Sequence, residues 1–234
     1  MEYLVIRLAA PMSSWGEPAV GEFRPSAAWP GDSSLVGLLG AAFGIDRLDI
    51  DAQHALRDSL RFAVGVLSAG DLLRDYHTAQ VPGRSALKGR PHRTRRDELL
   101  VTKSDLNTVL STREYRQNGD WLVAIAATAA SRWRLSEVAS ALQRPKFVLY
   151  LGRKSCPPAA PLAPRVIDAE NVLQAFRKYL AGHDLPAKLS RLVWSDGVDA
   201  GVAPDLSTPR KDRLISRKGW QFGDRMEHSA LLGE

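Results

Sequence analysis

The sequence predicts an α+β protein, and three observations support that prediction. Short apolar segments typical of strands alternate with segments of helical periodicity. The chain has 234 residues, of which 44% are apolar, so it can bury a core and falls outside the disordered, collagenous and mini-protein classes. No apolar run approaches the roughly 20 residues that span a bilayer, and a secretion signal is missing. We therefore expect a packed, cytoplasmic protein that does not contact a membrane.

The first 151 residues contain the elements of one domain. Residues 3–8 are apolar on both faces and predict a central strand, and Asp32, Ser33 and Ser34 are candidate N-cap residues for the first helix. In chain order we predict a strand, two helices, two strands, a helix and a strand, over residues 3–8, 33–44, 51–60, 61–67, 120–126, 135–143 and 146–151. Without the short second helix this order is β-α-β-β-α-β, the split unit of ferredoxin-like and RNA-recognition folds.

Glycine interrupts the first predicted helix twice, at Gly37 and Gly40. Each glycine costs roughly 1 kcal/mol relative to alanine in a helix interior. We therefore expect another backbone or a ligand to approach that face of the helix.

An insertion separates the second and third strands, and a proline-rich linker follows the last strand. From residue 82 to about 118 the sequence is rich in Gly, Pro, Arg, Ser and Thr and lacks a clear periodicity, which predicts an irregular insertion. Beyond the linker, residues 169–180 predict a helix, and residues 187–195 and 220–222 predict short strands. The chain from residue 152 to 234 is therefore expected to form a small β-rich lobe.

Positive charge is concentrated in the insertion. The chain carries 32 Lys and Arg against 26 Asp and Glu, a net charge of +6, and six of the cations follow one another with no acidic residue between them: Arg84, Lys88, Arg90, Arg93, Arg95 and Arg96. Segregated positive charge suits a polyanion, because each neutralised phosphate releases condensed counterions. A solvated basic loop is the alternative. A second basic cluster, at residues 210–218, has no assigned role.

Aromatic and cationic residues flank the insertion, at Tyr76, His77, Arg113, Tyr115 and Arg116. Guanidinium groups bind phosphate in bidentate fashion and stack on bases, and tyrosine rings also stack. We expect this segment to wrap single-stranded nucleic acid.

A second candidate site is the loop Gly152-Arg153-Lys154-Ser155, which follows the last predicted strand of the domain. Glycine lets a backbone approach closely, and the two cations can contact phosphates. The loop is not a Walker A motif, because Phe147 occupies the place of the earlier glycine and no helix follows. A polar turn without a ligand is the alternative.

The chain offers one candidate for catalysis, His77, which could act as general base on a ribose hydroxyl in metal-independent RNA cleavage. A structural or RNA-contacting histidine is the alternative. The histidines at 54, 77, 92, 183 and 228 are not spaced as metal ligands, and Cys156 is the lone cysteine. We expect no metal and no cofactor, and we expect Cys156 to be a small packed residue.

Six blocks together resemble the CasD family of type I-E CRISPR-associated Cascade subunits, within the repeat-associated mysterious protein (RAMP) superfamily. In chain order they are YLVIRLAAPMSSWG at 3–16, RPS at 24–26, LVGLLGAAFGI at 35–45, LRDYHT at 73–78, REY at 113–115 and YLGRKSCP at 150–157. Six blocks in the family's order are more specific than any single motif. The C-terminal third of the chain matches weakly.

The resemblance implies a non-catalytic subunit that holds the 5′ handle of CRISPR RNA at one end of a ribonucleoprotein complex. The ferredoxin-like palm would span residues 1–151, with the insertion at about 79–117 as a thumb, and the glycine-rich loop and β-rich lobe would span 152–234. The implied partners are CRISPR RNA and the backbone, large, small and RNA-processing subunits of Cascade, with target DNA contacted through the complex.

The residues expected to contact RNA are Arg24, Tyr76, His77, Arg84, Lys88, Arg90, Arg93, Arg95, Arg96, Arg113, Tyr115, Arg116, Gly152, Arg153, Lys154 and Ser155. Two alternatives remain open. A metal-independent endoribonuclease would process CRISPR repeat RNA through His77, although the resemblance argues against catalysis. A pure scaffold would contact other subunits and no RNA.

Overall fold

A computed structural model describes residues 1–90, 93–183, 188–217 and 219–233. The elements in chain order are β1 (Glu2–Ser13), β2 (Trp15–Gly16), β3 (Phe23–Arg24), β4 (Ser26–Ala27), α1 (Asp32–Phe43), α2 (Ile50–Ser59), β5 (Leu60–Ser68), β6 (Asp71–Pro82), α3 (Arg95–Leu99), β7 (Leu106–Ala127), α4 (Leu135–Gln143), β8 (Arg165–Asp168), α5 (Val172–Ala181), β9 (Arg191–Ser195), β10 (Leu206–Ser216) and β11 (Gln221–Leu231). The part of the chain that the structure describes contains no helix long and apolar enough to cross a membrane.

One large sheet organises the molecule. Its strand order is β10-β11-β9-β5-β7-β1-β8, with β3 and β6 also paired to β7. All of these pairs are antiparallel except that of β3 with β7. The sheet and its helices confirm the α+β class that the sequence predicts.

Strand β1 is an interior strand of the sheet, between β7 and β8, and is buried on both faces, as the sequence predicts. Leu4, Ile6 and Leu8 point to one face, where they pack with residues of α1, α2 and α4. Tyr3 and Val5 point to the other face and pack with α5. The sheet is therefore covered by helices on both sides, with α1 and α4 on the side that also carries the candidate site.

The predicted helices agree closely with the structure. Helix α4 has the predicted bounds, and α1 and α2 begin and end within one residue of theirs. Helix α5 begins three residues after the helix predicted at 169–180. Strands β5 and β7 contain the second and third predicted strands. Gly44 ends α1 in the left-handed conformation, with φ of 71°. Strand β1 continues past the predicted end at residue 8 to Ser13, and three short strands, β2, β3 and β4, follow it.

The fourth strand predicted at residues 146–151 is wrong. The N–H groups of Lys146 and Phe147 donate to the carbonyls of Ala42 and Ala41, at 3.0 and 3.1 Å, so this segment satisfies the last turn of α1 and joins no sheet. The apolar residues that suggested a strand are divided, with Val148 exposed and Leu151 buried. The fourth strand is β8, which pairs with β1.

The insertion is only partly irregular, because its second half completes a long β-hairpin. β6 and the first half of β7 pair in continuous register from Asp71 opposite Gln117 to Pro82 opposite Leu106. Helix α3 lies at the tip of the hairpin, where Thr94 and Asp97 form a capping box. We call residues 71–117 the arm. The sequence conceals it because both faces of β6 are at least partly exposed, so no apolar alternation marks the strand.

The described residues of the C-terminal third extend the main sheet and form no separate sheet. Strand β9 pairs with β5, and β11 and β10 follow it outward. The strand expected over residues 187–195 is observed as the shorter β9. Ala187, at the start of the expected strand, lies outside the described residues, and so do His92 and Lys218. Of the strand expected at 220–222, Trp220 lies in a turn and the other two residues begin the longer β11, while β10 has no counterpart among the predicted strands.

Candidate nucleic-acid interface

A groove of about 330 Å³ lies between the first turns of α1, the loop after residue 150 and the turn that joins β10 to β11. Six residues from these segments and from β3 define it, and we call it the cationic groove: Arg24, Ser33, Gly37, Gly152, Arg153 and Arg217. Tyr150 and Trp220 supply aromatic surface, and Glu17 is the acidic residue that lines it. Three guanidinium groups from distant parts of the chain therefore face one concave surface.

Gly152 seats the predicted loop against the end of β1. Its φ is 86°, and a Cβ there would stand 1.7 Å from the carbonyl oxygen of Ser14. The Ser14 N–H donates to the Leu151 carbonyl at 3.0 Å, and the Leu151 N–H donates to the Cys156 carbonyl at 2.7 Å. Glycine is required here by conformation and by contact, and the close neighbour is the protein's own backbone.

Arg153 is held over an aromatic ring. Its guanidinium carbon lies 4.7 Å from the centroid of the Tyr115 ring, and its Nη1 is buried without a hydrogen-bond partner among the described residues. Tyr115 is only 9% exposed, so its ring supports Arg153 and offers no free face to a base. Lys154 and Ser155 lie exposed on the outside of the loop.

Arg217 and Trp220, which sequence reasoning did not select, complete the groove. The Arg217 Nη2 donates to the Ser33 carbonyl at 3.2 Å, and burial lowers the pKa of its guanidinium. Trp220 is 57% exposed, with the guanidinium carbons of Arg47 and Arg217 at 4.7 and 5.9 Å from its ring centroid. The sequence signals that could have found them are the second basic cluster and the glycine inside α1.

The basic residues of the arm tip face solvent. Five of the predicted cations are exposed there: Arg84, Lys88, Arg90, Arg93 and Arg96. Arg95 is exposed as well, but it pairs with Glu98 at 2.5 Å and donates to the carbonyl of Gln80. Arg95 therefore fastens α3 to β6.

The stem of the arm presents two faces. His77 lies opposite Ser111 and Asp75 opposite Arg113, which places these four side chains on one face, together with Tyr115. Tyr76 lies on the other face and is 67% exposed.

Two other predicted arginines make contacts within the protein. Arg116 donates to the carbonyls of Ala27 and Ser26 at 3.2 and 3.4 Å, which ties the arm to β4. Arg24 donates to the carbonyls of Gly21 and Phe23 at 2.5 and 3.0 Å, yet it stays exposed at the rim of the groove.

A buried charge cluster lies behind the groove, at the start of α1. The Arg225 Nε donates to Asp212 at 2.6 Å and its Nη2 to Glu227 at 2.7 Å, and these three side chains are each 8% exposed. Arg210 of the second basic cluster also pairs with Glu227, at 2.8 Å. The cluster fixes α1, because Asp212 accepts a hydrogen bond from the Asp32 N–H at 2.9 Å.

The expected N-cap of α1 is corrected by this cluster. The N-cap residue is Gly31, which has no side chain to cap the helix. The carboxylate of Asp32 does not cap it either, and instead accepts a hydrogen bond from the Ser195 hydroxyl at 3.0 Å. Burial raises the pKa of Asp32 to about 6, and the charge of Arg225 opposes that rise. Within the described residues, no group of three or more His, Cys, Asp or Glu side chains is arranged to hold a metal ion.

Comparison with known proteins places the chain in a family. The profile of the family described as "CRISPR-associated protein (Cas_Cas5)" matches residues 3–226. A curated relative from Escherichia coli (strain K12), "CRISPR system Cascade subunit CasD", is 36% identical over 185 residues, which cover 76% of either chain. The chain belongs to the Cas5 family. This membership confirms the resemblance that the six sequence blocks indicate.

Two solved structures share the fold of this Cas5-family chain. A chain of a "CRISPR RNA-guided surveillance complex" superposes with a TM-score of 0.69 at 24% identity, over 98% of this chain and 89% of that one. A second, titled "Crystal structure of Cas protein", gives a TM-score of 0.63 at 24% identity, over 98% and 94%. The match extends through the C-terminal third, so β9, β10 and β11 belong to the shared fold.

Proposed function

We propose that this Cas5-family chain is a non-catalytic RNA-binding subunit of a type I-E Cascade complex and holds the 5′ handle of CRISPR RNA. The observation that carries the proposal is the cationic groove, in which Arg24, Arg153 and Arg217 converge although they are far apart in the sequence. Its curated relative is itself a Cascade subunit. The partners would be CRISPR RNA and the backbone, large, small and RNA-processing subunits, with target DNA engaged through the complex.

The division of labour follows from the chemistry of the two basic regions. In the groove, guanidinium groups would contact phosphates in bidentate fashion, because they are held close together around a concave surface. On the arm, Arg84 and Lys88 would follow the RNA backbone, and Tyr76 would stack on a base. Tyr115 would act through Arg153, which it supports at 4.7 Å.

The architecture has a matching interpretation. The strand order β8-β1-β7-β5, with α1 and α4 on one face, is the order expected of a ferredoxin-like palm. In that description the arm would be the thumb, with its base at residues 71 and 117 rather than at residue 79, and the C-terminal strands would widen the palm.

A binding titration tests the proposal. The purified chain is titrated with labelled CRISPR RNA that carries the 5′ handle, and with the same RNA lacking the handle, over a series of salt concentrations. We expect tighter binding of the handle-bearing RNA and a log–log salt slope of about −0.7 for each phosphate contacted. A flat salt response, or equal affinity for both RNAs, would contradict it.

Crosslinking separates the binder from the scaffold. In the assembled complex, a binder should give RNA–peptide crosslinks within the groove loop and the arm. A scaffold would retain its partner subunits and give crosslinks in neither segment.

One contact favours an endoribonuclease as the second candidate. The Nδ1 of His77 lies 3.8 Å from a carboxylate oxygen of Asp75, on the face of the arm that also carries Arg113. A carboxylate can orient a histidine that acts as general base. If this candidate is right, the wild-type chain cleaves labelled repeat RNA in EDTA and His77→Ala does not. We expect both proteins to leave the RNA intact.

A further inference from the structure

The two glycines inside α1 have different surroundings. A Cβ at Gly37 would stand 2.5 Å from the Nη2 of Arg217, whereas the nearest atom to a Cβ at Gly40 is the side-chain amide of Gln53, at an ordinary 3.7 Å. Glycine is a poor residue for a helix interior. Because Gly37 has no side chain, it leaves the space in which the Arg217 guanidinium lies.

The guanidinium seated over Gly37 retains unused hydrogen-bonding capacity. Its Nη2 donates to the Ser33 carbonyl at 3.2 Å, and its Nε is buried and unpaired within the described part of the chain. No described carboxylate forms an ion pair with it, in contrast to Arg225 and Arg210. A desolvated cation that lines a groove and lacks an acidic partner is suited to an anionic ligand.

Trp220 stands beside this guanidinium in an unusual backbone conformation. Its φ is 50°, a value that is uncommon for a bulky residue, and its ring is 57% exposed at the groove. Bulky residues in such conformations are concentrated at ligand sites. Arg47 lies over the ring at 4.7 Å and helps to fix its position.

We propose that Arg217, seated over Gly37, and Trp220 form a nucleotide subsite of the cationic groove. Arg217 contacts one RNA phosphate, and Trp220 stacks on the neighbouring base. Gly37 is a positioning residue that acts through Arg217. This proposal rests on the proposed RNA-binding function and identifies the part of the groove that contacts a phosphate and a base of adjacent nucleotides.

The test compares Gly37→Ala with Gly40→Ala in the full-length chain. Both changes improve helix propensity, so neither should lower the melting temperature, but only the Cβ at residue 37 displaces the Arg217 guanidinium. With handle-bearing CRISPR RNA as the probe, Gly37→Ala should weaken binding and reduce the salt slope by about 0.7, the value for one phosphate contact. Gly40→Ala should match the wild type in both.

Arg217→Gln and Trp220→Asn extend the test to the two contacts themselves. Arg217→Gln should weaken RNA binding as much as Gly37→Ala does. The double variant Gly37→Ala/Arg217→Gln should bind no more weakly than either single variant, because both changes remove the same contact. Trp220→Asn should raise Kd roughly 5- to 150-fold, the factor for about 1 to 3 kcal/mol of stacking per base, without altering the salt slope. Asparagine tolerates a positive φ, so this variant should keep its melting temperature.

The outcomes separate this subsite from RNA binding in general. If wild-type protein does not prefer handle-bearing RNA, the proposed function fails. If wild-type protein binds and the Arg217 and Trp220 variants bind equally well, the subsite is wrong while the function stands. Should Gly37→Ala lower the melting temperature, the other two variants decide the question.

Discussion

The cationic groove and the arm are both basic, but they are held in place by different means. The groove is assembled from β3, α1, the Gly152 loop and the β10–β11 turn, over a charge cluster in which Arg225, Asp212 and Glu227 are each 8% exposed. The arm is a single hairpin, and the ion pair at its tip joins Arg95 to Glu98, whose side chains are 50% and 29% exposed.

Under the proposed function, this difference would separate a site that is formed before RNA binds from one that RNA can reshape. Exposed ion pairs contribute about 0 to 1 kcal/mol, so the arm tip can change its conformation at small cost. Breaking a buried pair by removing one partner costs several times as much, so the groove keeps its shape. We therefore expect the arm to supply salt-dependent affinity and the groove to supply selectivity.

The largest expected effect comes from substituting a glycine in each region. Gly152 and Gly89 both have positive φ, of 86° and 73°, but a Cβ at Gly152 meets the Ser14 backbone, whereas a Cβ at Gly89 meets nothing within 4 Å. Gly152→Ala should destabilise the protein by about 3 kcal/mol, and Gly89→Ala by about 1 kcal/mol or less. Urea unfolding measures both. Equal losses would mean that the loop is no more rigidly held than the arm.

The second prediction concerns pH and the cluster behind the groove. Burial raises the pKa of Asp32 to about 6, above that of an aspartate in the unfolded chain. A carboxyl group with a raised pKa favours the folded state when protonated, so its contribution is complete below about pH 4 and is lost as the pH rises through 6. The difference in unfolding free energy between Asp32→Asn and wild type should therefore shift in favour of the variant as the pH rises from 4 to 7.

The side chain of Asp32 is 22% exposed, and we expect that gain to be on the order of 2 kcal/mol. The matched control in the arm is Glu98→Gln, which should change stability by less than about 0.5 kcal/mol at either pH. Denaturant unfolding at pH 4, 5.5 and 7 gives the comparison. A constant difference between Asp32→Asn and wild type across these pH values would show that Asp32 does not titrate as proposed.

The sequence is informative about residues 1–151 because its signals there are local. Helix α4 and the burial of β1 on both faces follow from apolar spacing alone. The fourth strand was misplaced because Phe147, Val148 and Leu149 resemble a strand more than the four residues of β8 do. Lys146 and Phe147 instead donate backbone hydrogen bonds to the end of α1, a tertiary role that leaves no periodic pattern.

The sequence likewise reveals some residues of the candidate site and not others. The basic residues of the arm are visible as a run in the sequence, and the Gly152 loop follows from a single motif. Arg217 and Trp220 reach the groove only because β10 and β11 fold back over α1, a contact between segments more than 170 residues apart. The glycine at 37 was recognised as costly, but the sequence could not identify its neighbour.

The third prediction separates affinity from structure within the arm. Arg84→Ser combined with Lys88→Ser removes two exposed cations, so binding of handle-bearing RNA should weaken and the salt slope should fall by about 1.4, the value for two phosphate contacts. Thermal stability should not change, because neither residue is buried. Unaltered RNA binding in this variant would assign the salt dependence to the groove alone.

The smallest expected effect is at Arg95, an arm cation that contacts Glu98 and Gln80 within the protein. Arg95→Ala removes its pair with Glu98 and its hydrogen bond to Gln80, so α3 should detach from β6 more often while global stability changes by less than about 1 kcal/mol. Limited proteolysis should cut the arm tip faster than in Arg96→Ala, an exposed neighbour on the same helix. Equal cleavage of the two variants would mean that Arg95 does not hold α3 against β6. Its guanidinium would then be available to RNA.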